Sequence, residues 1–228
     1  MQIEPLGDAA LLVRVVDNFH LEESLDAVLR ATRQLEAAAI PSVIELAPAY
    51  TTIGVFFDPT RIGAFDEFRA AIERALQSDS KSARLRAAVE TITEVPVCYE
   101  NEFAPDLDEV ARQSGLSSEE VVRLHSNAHY QVSCVGFTPG FPYLTGLPPE
   151  LATPRRASPR KEIPAGAVAI GGTQTGIYPR KSPGGWNIIG RTPLQLFDVE
   201  RESPALFHAG DHVRFRRISR DEFDRLSQ

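Results

Sequence analysis

The chain has 228 residues, of which 43% are hydrophobic and 24% are charged, a balance typical of a soluble protein with a buried core. The formal net charge is -7. An acidic chain without a basic tail is a poor match to nucleic acid or to an anionic membrane, because both attract clustered Lys and Arg.

The first third of the chain alternates strand and helix patterns. Apolar runs predict strands at Ala10–Val16, Val43–Leu46 and Thr51–Phe57. Apolar residues at helical spacing predict one helix over residues 21–35 and another over residues 65–76. This order predicts a small α+β sandwich as the N-terminal domain, residues 1–84.

A polar stretch follows, and it is the best candidate for a linker. Gln77–Arg86 has no clear period and no large apolar cluster. We therefore expect a second domain over residues 85–228. No secretory signal or membrane span is recognised in the sequence, and Cys98 and Cys134 are interpreted as buried thiols. Together these features predict a cytoplasmic protein.

The second domain starts with a strand and two short helices. The strand is predicted at Thr91–Tyr99, and the helices at Leu107–Gln113 and Glu119–His125. Ser117 and Glu120 have the spacing of a capping box, so Ser117 is predicted to cap the second helix.

Beyond Tyr130 the pattern changes to short apolar runs between turn residues, which predicts an all-β barrel or sandwich. Residues 136–193 hold 10 of the 15 glycines and 10 of the 17 prolines, so many fixed turns are expected there. The predicted strands are Val168–Ile170, Ile188–Ile189, Leu194–Val199 and Val213–Phe215.

The same segment carries a concentration of positive charge. Residues 155–191 contain seven basic side chains and a single acid, Glu162, within a chain whose net charge is -7. Arginine binds carboxylate and phosphate through two parallel hydrogen bonds, so this window predicts a site for a small anion. The alternative is that these bases pair with acids elsewhere on the surface.

Glycines in this window have two interpretations. Gly171-Gly172, Gly176 and Gly184-Gly185 could present bare backbone N–H groups to an oxyanion, or could form tight turns. Trp186, the only tryptophan, is either a core residue or a wall on which a ligand stacks.

Several motifs are rejected. Gly171 and Gly176 have the glycine spacing of a nucleotide-binding P-loop, but Ile177 replaces the required Lys. His125 and His129 are four residues apart, as in a zinc helix, but Ser126 replaces the Glu of that motif, so no metal site is predicted.

Four segments carry a resemblance to a known family. They are GFTPGFPYLTGL (136–147), PRRASPR (154–160), IPAGAVAIGGTQTGIYP (163–179) and SPGGWNIIGRTP (182–193). With Gly7-Asp8 and AGDHVRF (209–215), they resemble the allophanate hydrolase subunit 1 family, also called the Kip-inhibitor family, which includes the B subunit of bacterial ATP-dependent 5-oxoprolinase.

The resemblance implies a cyclophilin-like β-barrel for the second domain. It also implies two partners from 5-oxoprolinase, its C subunit, which is built on a related barrel, and its A subunit. Together with this chain they would hydrolyse 5-oxoproline to glutamate and consume ATP. ATP, with Mg, is expected to bind only in the complex with the C subunit, since the chain has no recognised nucleotide motif of its own.

The resemblance also supplies candidate site residues. The catalytic candidates are His125 and Arg191. The candidates for substrate or anion binding are Arg155, Arg160, Gln174, Tyr178 and Trp186, and the backbone argument given above adds Gly176, Gly184 and Gly185. Arg156 and Lys161 each follow one of these arginines, and side chains that alternate along an extended segment would point them to the opposite face.

Two alternative functions remain open from the sequence. The chain could inhibit a sensor histidine kinase, as the family's second name suggests, or could belong to an allophanate system that degrades urea.

Overall fold

The computed structural model describes residues 2–17, 21–78 and 92–227. Their contacts group into two compact units, Met1–Glu90 and Thr91–Gln228. The predicted linker, Gln77–Arg86, begins where a helix ends, but its residues from 79 onward lie outside the described ranges. The predicted boundary between residues 84 and 85 also lies there and stays a prediction.

The first unit contains a four-stranded antiparallel sheet and two helices. Its strands are β1 (Gln2–Pro5), β2 (Ala10–Arg14), β3 (Val43–Ala49) and β4 (Thr52–Phe57), in the order β1-β2-β4-β3. The helices are α1 (Leu21–Ala38) and α2 (Phe65–Gln77).

Apolar periodicity explains how this unit forms its core. Phe68, Ile72 and Ala75 recur along one face of α2 and are buried. The Phe68 ring lies 4.6 Å from the ring of Phe57 on β4. The predicted strand-helix-strand-strand-helix order is confirmed. β1 was missed because only Ile3 of its four residues is buried, which leaves no period to read.

The second unit is built around a seven-stranded barrel. The strands of the unit, seven in the barrel and two outside it, are β5 (Ile92–Cys98), β6 (Tyr130–Val135), β7 (Pro142–Thr145), β8 (Arg160–Ile163), β9 (Ala167–Gly171), β10 (Gln174–Ile177), β11 (Ser182–Gly184), β12 (Asn187–Arg191) and β13 (His212–Ile218). Its helices are α3 (Leu107–Ser114), α4 (Ser118–Asn127) and α5 (Arg220–Leu226), with a 3-10 turn at Pro149–Leu151.

The strand order in the barrel is β10-β7-β6-β13-β5-β12-β9, and pairing of β10 with β9 closes it. β13 runs parallel to β5, with His212 opposite Ile92. β8 and β11 form a separate two-stranded sheet. A β-rich barrel is therefore confirmed, and its likeness to cyclophilin stays a prediction.

Alternating side chains on β9 divide the unit into an inner and an outer apolar cluster. Val168 and Ile170 point into the main core, whereas Ala167 and Ala169 belong to a second cluster on the outer face of the barrel. All four side chains are fully buried, so other side chains of the second cluster cover the outer face of the barrel at β9.

Of two local predictions for this unit, a helix cap is confirmed and a strand is wrong. Ser117 caps α4 through a complete capping box with Glu120, as predicted. The predicted strand at Leu194–Val199 is wrong, because that segment has only one isolated bridge, between Phe197 and Ala205. Its apolar run serves instead to bury Leu196 in the core.

Within the described ranges, no helix is both long enough and apolar enough to cross a lipid bilayer.

Candidate functional site

Five aromatic side chains gather on the outer face of the barrel, and we call them the aromatic cluster. Phe141 is at the centre and contacts each of the other four, with ring centres 4.8–5.7 Å apart. The members are Phe137, Phe141, Tyr143, Tyr178 and Trp186. They belong to the Gly/Pro-rich segment that the sequence singled out.

Trp186 packs tightly within this cluster and is only 5% exposed. One face lies on Gly171, where an added Cβ would come within 2.5 Å of the indole ring. Phe141 and Tyr143 meet its ring edge to face, at 5.6 Å and 5.8 Å. The nearly complete burial of Trp186 favours its interpretation as a core residue.

Arg155 supplies the charge next to this cluster. Its guanidinium carbon lies 5.6 Å from the centre of the Trp186 ring, within the range of a cation–π contact. The residue is exposed, and among the described residues no acidic side chain forms an ion pair with it. Arg155 therefore presents a positive charge to solvent beside an aromatic wall.

Asp106 holds the two neighbouring arginines. Its Oδ1 accepts hydrogen bonds from Arg156 Nη1 at 2.7 Å and Arg160 Nη2 at 2.8 Å. Its Oδ2 accepts from Arg160 Nη1 and from the backbone N–H of Ile188, both at 2.7 Å. The carboxylate is 3% exposed, so a nearly buried acid joins α3, β8 and β12.

This network groups the arginines differently from the prediction. Arg155 and Arg160 were expected together, with Arg156 on the opposite face, but the guanidinium groups of Arg156 and Arg160 both bind Asp106. Residues 154–159 form no regular strand, so the two-residue alternation does not apply. The guanidinium group of Arg160 binds a protein carboxylate. This agrees with the alternative in which basic side chains of residues 155–191 pair with acids of the same chain. Lys181 likewise pairs with Glu162 at 2.6 Å.

Close packing explains two of the glycines of the predicted site, Gly176 and Gly184. A Cβ at Gly184 would overlap the Tyr178 hydroxyl, and one at Gly176 would lie 2.9 Å from the Phe141 ring. The carbonyl of Gly185 accepts the Arg156 N–H at 2.8 Å. Direct contact of these glycines with an anion stays a prediction.

Tyr178 and Gln174 lie at the two ends of the β10 region. Tyr178 is 2% exposed, and burial raises its pKa, while a backbone hydrogen bond from Trp186 and the charges of Arg155 and Arg160 offset part of that rise. Gln174 is half-buried and pairs with Gly171 across the β9–β10 turn. Tyr178 therefore belongs to the aromatic cluster, and Gln174 lies at the end of the strand leading to it.

His125 lies inside the barrel core and is 0% exposed. Its Nδ1 is 2.8 Å from the Tyr99 hydroxyl, and its Nε2 is 3.0 Å from Thr175 Oγ1. The Thr175 hydroxyl donates its proton to the Ala169 carbonyl, so Nε2 of His125 carries the ring proton and Nδ1 accepts from Tyr99.

The core environment keeps His125 neutral, since burial lowers its pKa from 6.5 to about 3. Its ring also stacks on Phe215, with ring centres 4.5 Å apart. Both ring nitrogens have protein partners, which favours a structural role, and the predicted catalytic role stays a prediction.

Arg191 has a different set of neighbours. Its Nε donates to the Ala165 carbonyl at 2.9 Å, and its guanidinium lies over the rings of Phe103 and Phe223 at 5.6 Å and 5.9 Å. Among its described contacts, none is with the aromatic cluster. The structure thus brings Arg155, Tyr178 and Trp186 together, but does not join Arg191 or His125 to them.

One cavity of about 400 Å³ opens elsewhere in this unit, between Tyr99, Val122 and Arg217. None of the predicted site residues lines it. Among the described residues, no three His, Cys, Asp or Glu side chains come together as metal ligands.

Most of the chain matches a known protein family. The model of the family described as "Carboxyltransferase domain, subdomain C and D" matches residues 1–207, which include the entire aromatic cluster. The chain belongs to this carboxyltransferase C and D family.

Two bacterial relatives show that the chain belongs to the allophanate hydrolase subunit 1 family, as the sequence motifs indicated. It is 42% identical over 231 residues to a Bacillus subtilis protein named as the B subunit of 5-oxoprolinase, covering 97% of this chain and 95% of that one. It is 47% identical over 176 residues to the Escherichia coli O157:H7 protein of the same name, covering 77% and 78%.

Solved structures of similar proteins share the fold. The protein TTHA0988 superposes with a TM-score of 0.77 at 36% identity, over 92% of this chain but only 40% of its own. The chain thus spans less than half of that longer protein. The Kluyveromyces lactis urea carboxylase has a TM-score of 0.71 at 19% identity and covers 97% of this chain, a likeness of fold alone.

Two residues of the candidate site were missed from the sequence. Phe137 is 63% exposed and has a left-handed backbone with φ of 65°, which is unusual for a bulky residue. Asp106 directly precedes α3, and its side chain reaches arginines 50 and 54 residues away. No local pattern encodes either property.

Proposed function

We propose that this chain acts as the B subunit of an ATP-dependent 5-oxoprolinase that opens 5-oxoproline to L-glutamate together with the enzyme's C and A subunits, and that it is inactive alone. The proposal is supported by the two bacterial relatives of that name, which align over most of their own lengths. The observation that carries the proposal at the site is the exposed guanidinium of Arg155 over Trp186.

An anionic substrate requires a cation with no internal partner. Arg156 and Arg160 share the single carboxylate of Asp106, and Lys181 pairs with Glu162. Arg155 keeps its charge exposed beside this excess of positive charge. We place the carboxylate of 5-oxoproline, or a phosphoryl oxygen, on the fork of Arg155, since guanidinium groups bind both in bidentate geometry.

The chemistry explains why ATP is consumed. A lactam is an unreactive amide, and transfer of the γ-phosphoryl group of ATP to its oxygen makes that oxygen a leaving group and releases ADP. Water then adds to the activated carbon, and the ring C–N bond breaks so that the nitrogen leaves protonated as the amine of glutamate. A second water releases phosphate from the acyl phosphate that remains. Arginine and backbone N–H donors stabilise the charge that spreads over the phosphoryl oxygens.

ATP and its Mg are proposed to bind where this chain meets the C subunit. We expect a stable hetero-complex that buries roughly 1,600 Å² or more of surface. Size-exclusion chromatography of co-expressed chains at low salt should show one complex, and elution as separate monomers would contradict this part of the proposal.

The decisive assay measures ATP hydrolysis that depends on 5-oxoproline. The chain alone should be inactive, and the chain co-expressed with the C and A subunits from its own source should release ADP and glutamate in equal amounts. A complex that ignores 5-oxoproline but turns over ATP with urea would favour the urea-degrading alternative and overturn the proposal.

A further inference from the structure

The carboxylate of Asp106 has no capacity left for a further donor. A carboxylate offers about four lone-pair positions, and here each oxygen accepts two hydrogen bonds. Three of those bonds come from guanidinium groups and are charge-assisted. Asp106 therefore acts on its protein neighbours, and any effect on a ligand must pass through them.

Those neighbours flank the residue proposed to bind the anion. Arg156 directly follows Arg155, and Arg160 ends the same segment, residues 154–160, which has no regular structure before β8. The Pro154 carbonyl accepts from Asn187 Nδ2 at 2.9 Å, and the Arg156 N–H donates to the Gly185 carbonyl at 2.8 Å. Arg155 is thus held between two fixed neighbours.

We infer that Asp106 is a positioning residue, which fixes segment 154–160 through Arg156 and Arg160 and so holds the Arg155 guanidinium over Trp186 for an anionic ligand. The inference rests on the proposed role of Arg155 in binding substrate. The negative charge of Asp106 also lowers the repulsion among three arginines in a short segment, so Arg155 can stay with its charge exposed.

Trp186 reports this arrangement directly, because it is the only tryptophan in the sequence. Arg155→Ala removes the cation from its ring and should change the emission intensity or maximum of Trp186. Arg156→Ala should change the emission in the same direction, although it leaves the bidentate Arg160–Asp106 pair intact. The double variant should add nothing to Arg155→Ala, and Arg156→Lys should restore part of the wild-type signal.

The matched control is Lys161→Ala, which removes one positive charge from an exposed position on β8. It should leave the Trp186 emission unchanged. The direct variant, Asp106→Asn, should reproduce the effect of Arg156→Ala. If Asp106→Asn does not fold, Arg156→Ala still decides the question.

Activity gives the second readout. In the complex, Arg156→Ala and Asp106→Asn should each raise the KM for the anionic ligand that Arg155 binds by about tenfold, with a smaller change in kcat. In an Arg155→Ala background, the same two substitutions should raise this KM no further. The inference would be overturned if the KM effects of Arg155→Ala and Arg156→Ala were additive, or if Arg156→Ala left the Trp186 emission unchanged. If the wild-type complex lacks 5-oxoproline-dependent turnover, the proposed function fails, whereas the fluorescence comparison still decides whether Asp106 positions Arg155.

Discussion

The Tyr99 hydroxyl lies 2.8 Å from Nδ1 of His125, deep inside the barrel. With Thr175 on the opposite ring nitrogen, it ties the strand end after β5 to α4 and β10 through one neutral imidazole. Burial raises the pKa of Tyr99 well above its usual value, so its hydroxyl keeps the proton that this bond requires.

The first prediction concerns pH. The folded-state pKa of His125 is about 3, below its unfolded value of 6.5, so the unfolded chain binds more protons between these values. Stability contributed by the neutral imidazole is present above pH 6.5 and is lost as the pH falls towards 3, at about 1.4 kcal/mol per pH unit. Urea unfolding across this range should therefore show a slope that is steeper in the wild type than in His125→Gln by about this amount.

The control for that slope is His129→Gln, four residues along at a position outside the core. This variant should unfold with the pH dependence of the wild type. If His125→Gln and His129→Gln give equal slopes, the acid sensitivity comes from other groups.

The second prediction concerns the floor of the aromatic cluster. In Gly171→Ala the new methyl group would lie 2.5 Å from the Trp186 indole, so the ring must move. We expect a loss of about 1–3 kcal/mol in the free energy of unfolding, as is usual for overpacked cores, and a shifted Trp186 emission. Gly136→Ala is the matched control, since nothing lies within 4 Å of its added Cβ. Equal losses in both variants would contradict the packing explanation.

The third prediction separates charge from geometry at Arg155. Arg155→Ala should weaken binding of the anionic ligand about ten- to a hundredfold, the usual cost of one charge-assisted contact of roughly 1.5–3 kcal/mol. Arg155→Lys keeps the charge but loses the fork, and should recover only part of that loss. Steady-state kinetics of the complex would measure both, with Lys161→Ala as the charge-matched control. A Lys variant equal to wild type would mean that attraction alone suffices.

The fourth prediction concerns the backbone at Phe137. A left-handed conformation costs a non-glycine residue roughly 1–2 kcal/mol, which glycine does not incur. Phe137→Gly should therefore be more stable than Phe137→Ala by about 1 kcal/mol, since both remove the same ring contacts with Phe141 and Tyr178. Thermal unfolding of the pair tests this, and a less stable Gly variant would argue against the strained backbone.

Local features of this chain were predictable, because their causes lie within a few residues. The Ser117–Glu120 capping box spans one helical turn, and its pattern is visible in the sequence. The stripe on α2 and the apolar runs of β9 and β13 follow in the same way from short periods.

The part of the site that depends on long-range contacts was not predictable. Arg155 and Arg160 were expected together, with Arg156 on the opposite face, but Arg156 and Arg160 both bind one acid whereas Arg155 lies over Trp186. Asp106 is 50 residues from Arg156, and nothing near it in the sequence signals two arginine partners. Trp186 could be a core residue or a wall for a ligand, and the sequence did not indicate that its ring lies on Gly171 with Arg155 beside it.

The parallel pairing of β5 with β13 has a consequence for biosynthesis. β5 is the first barrel strand in the chain, and its partner β13 lies roughly 120 residues further along. β13 also lies beyond residue 207, the last residue matched by the family model. Until residues 212–218 have left the ribosome, β5 and β6 both have an unpaired edge, and edges of this kind invite contacts with other chains. Barrel closure is therefore a late event on the nascent polypeptide, and this non-local pairing makes it slow compared with formation of the helices.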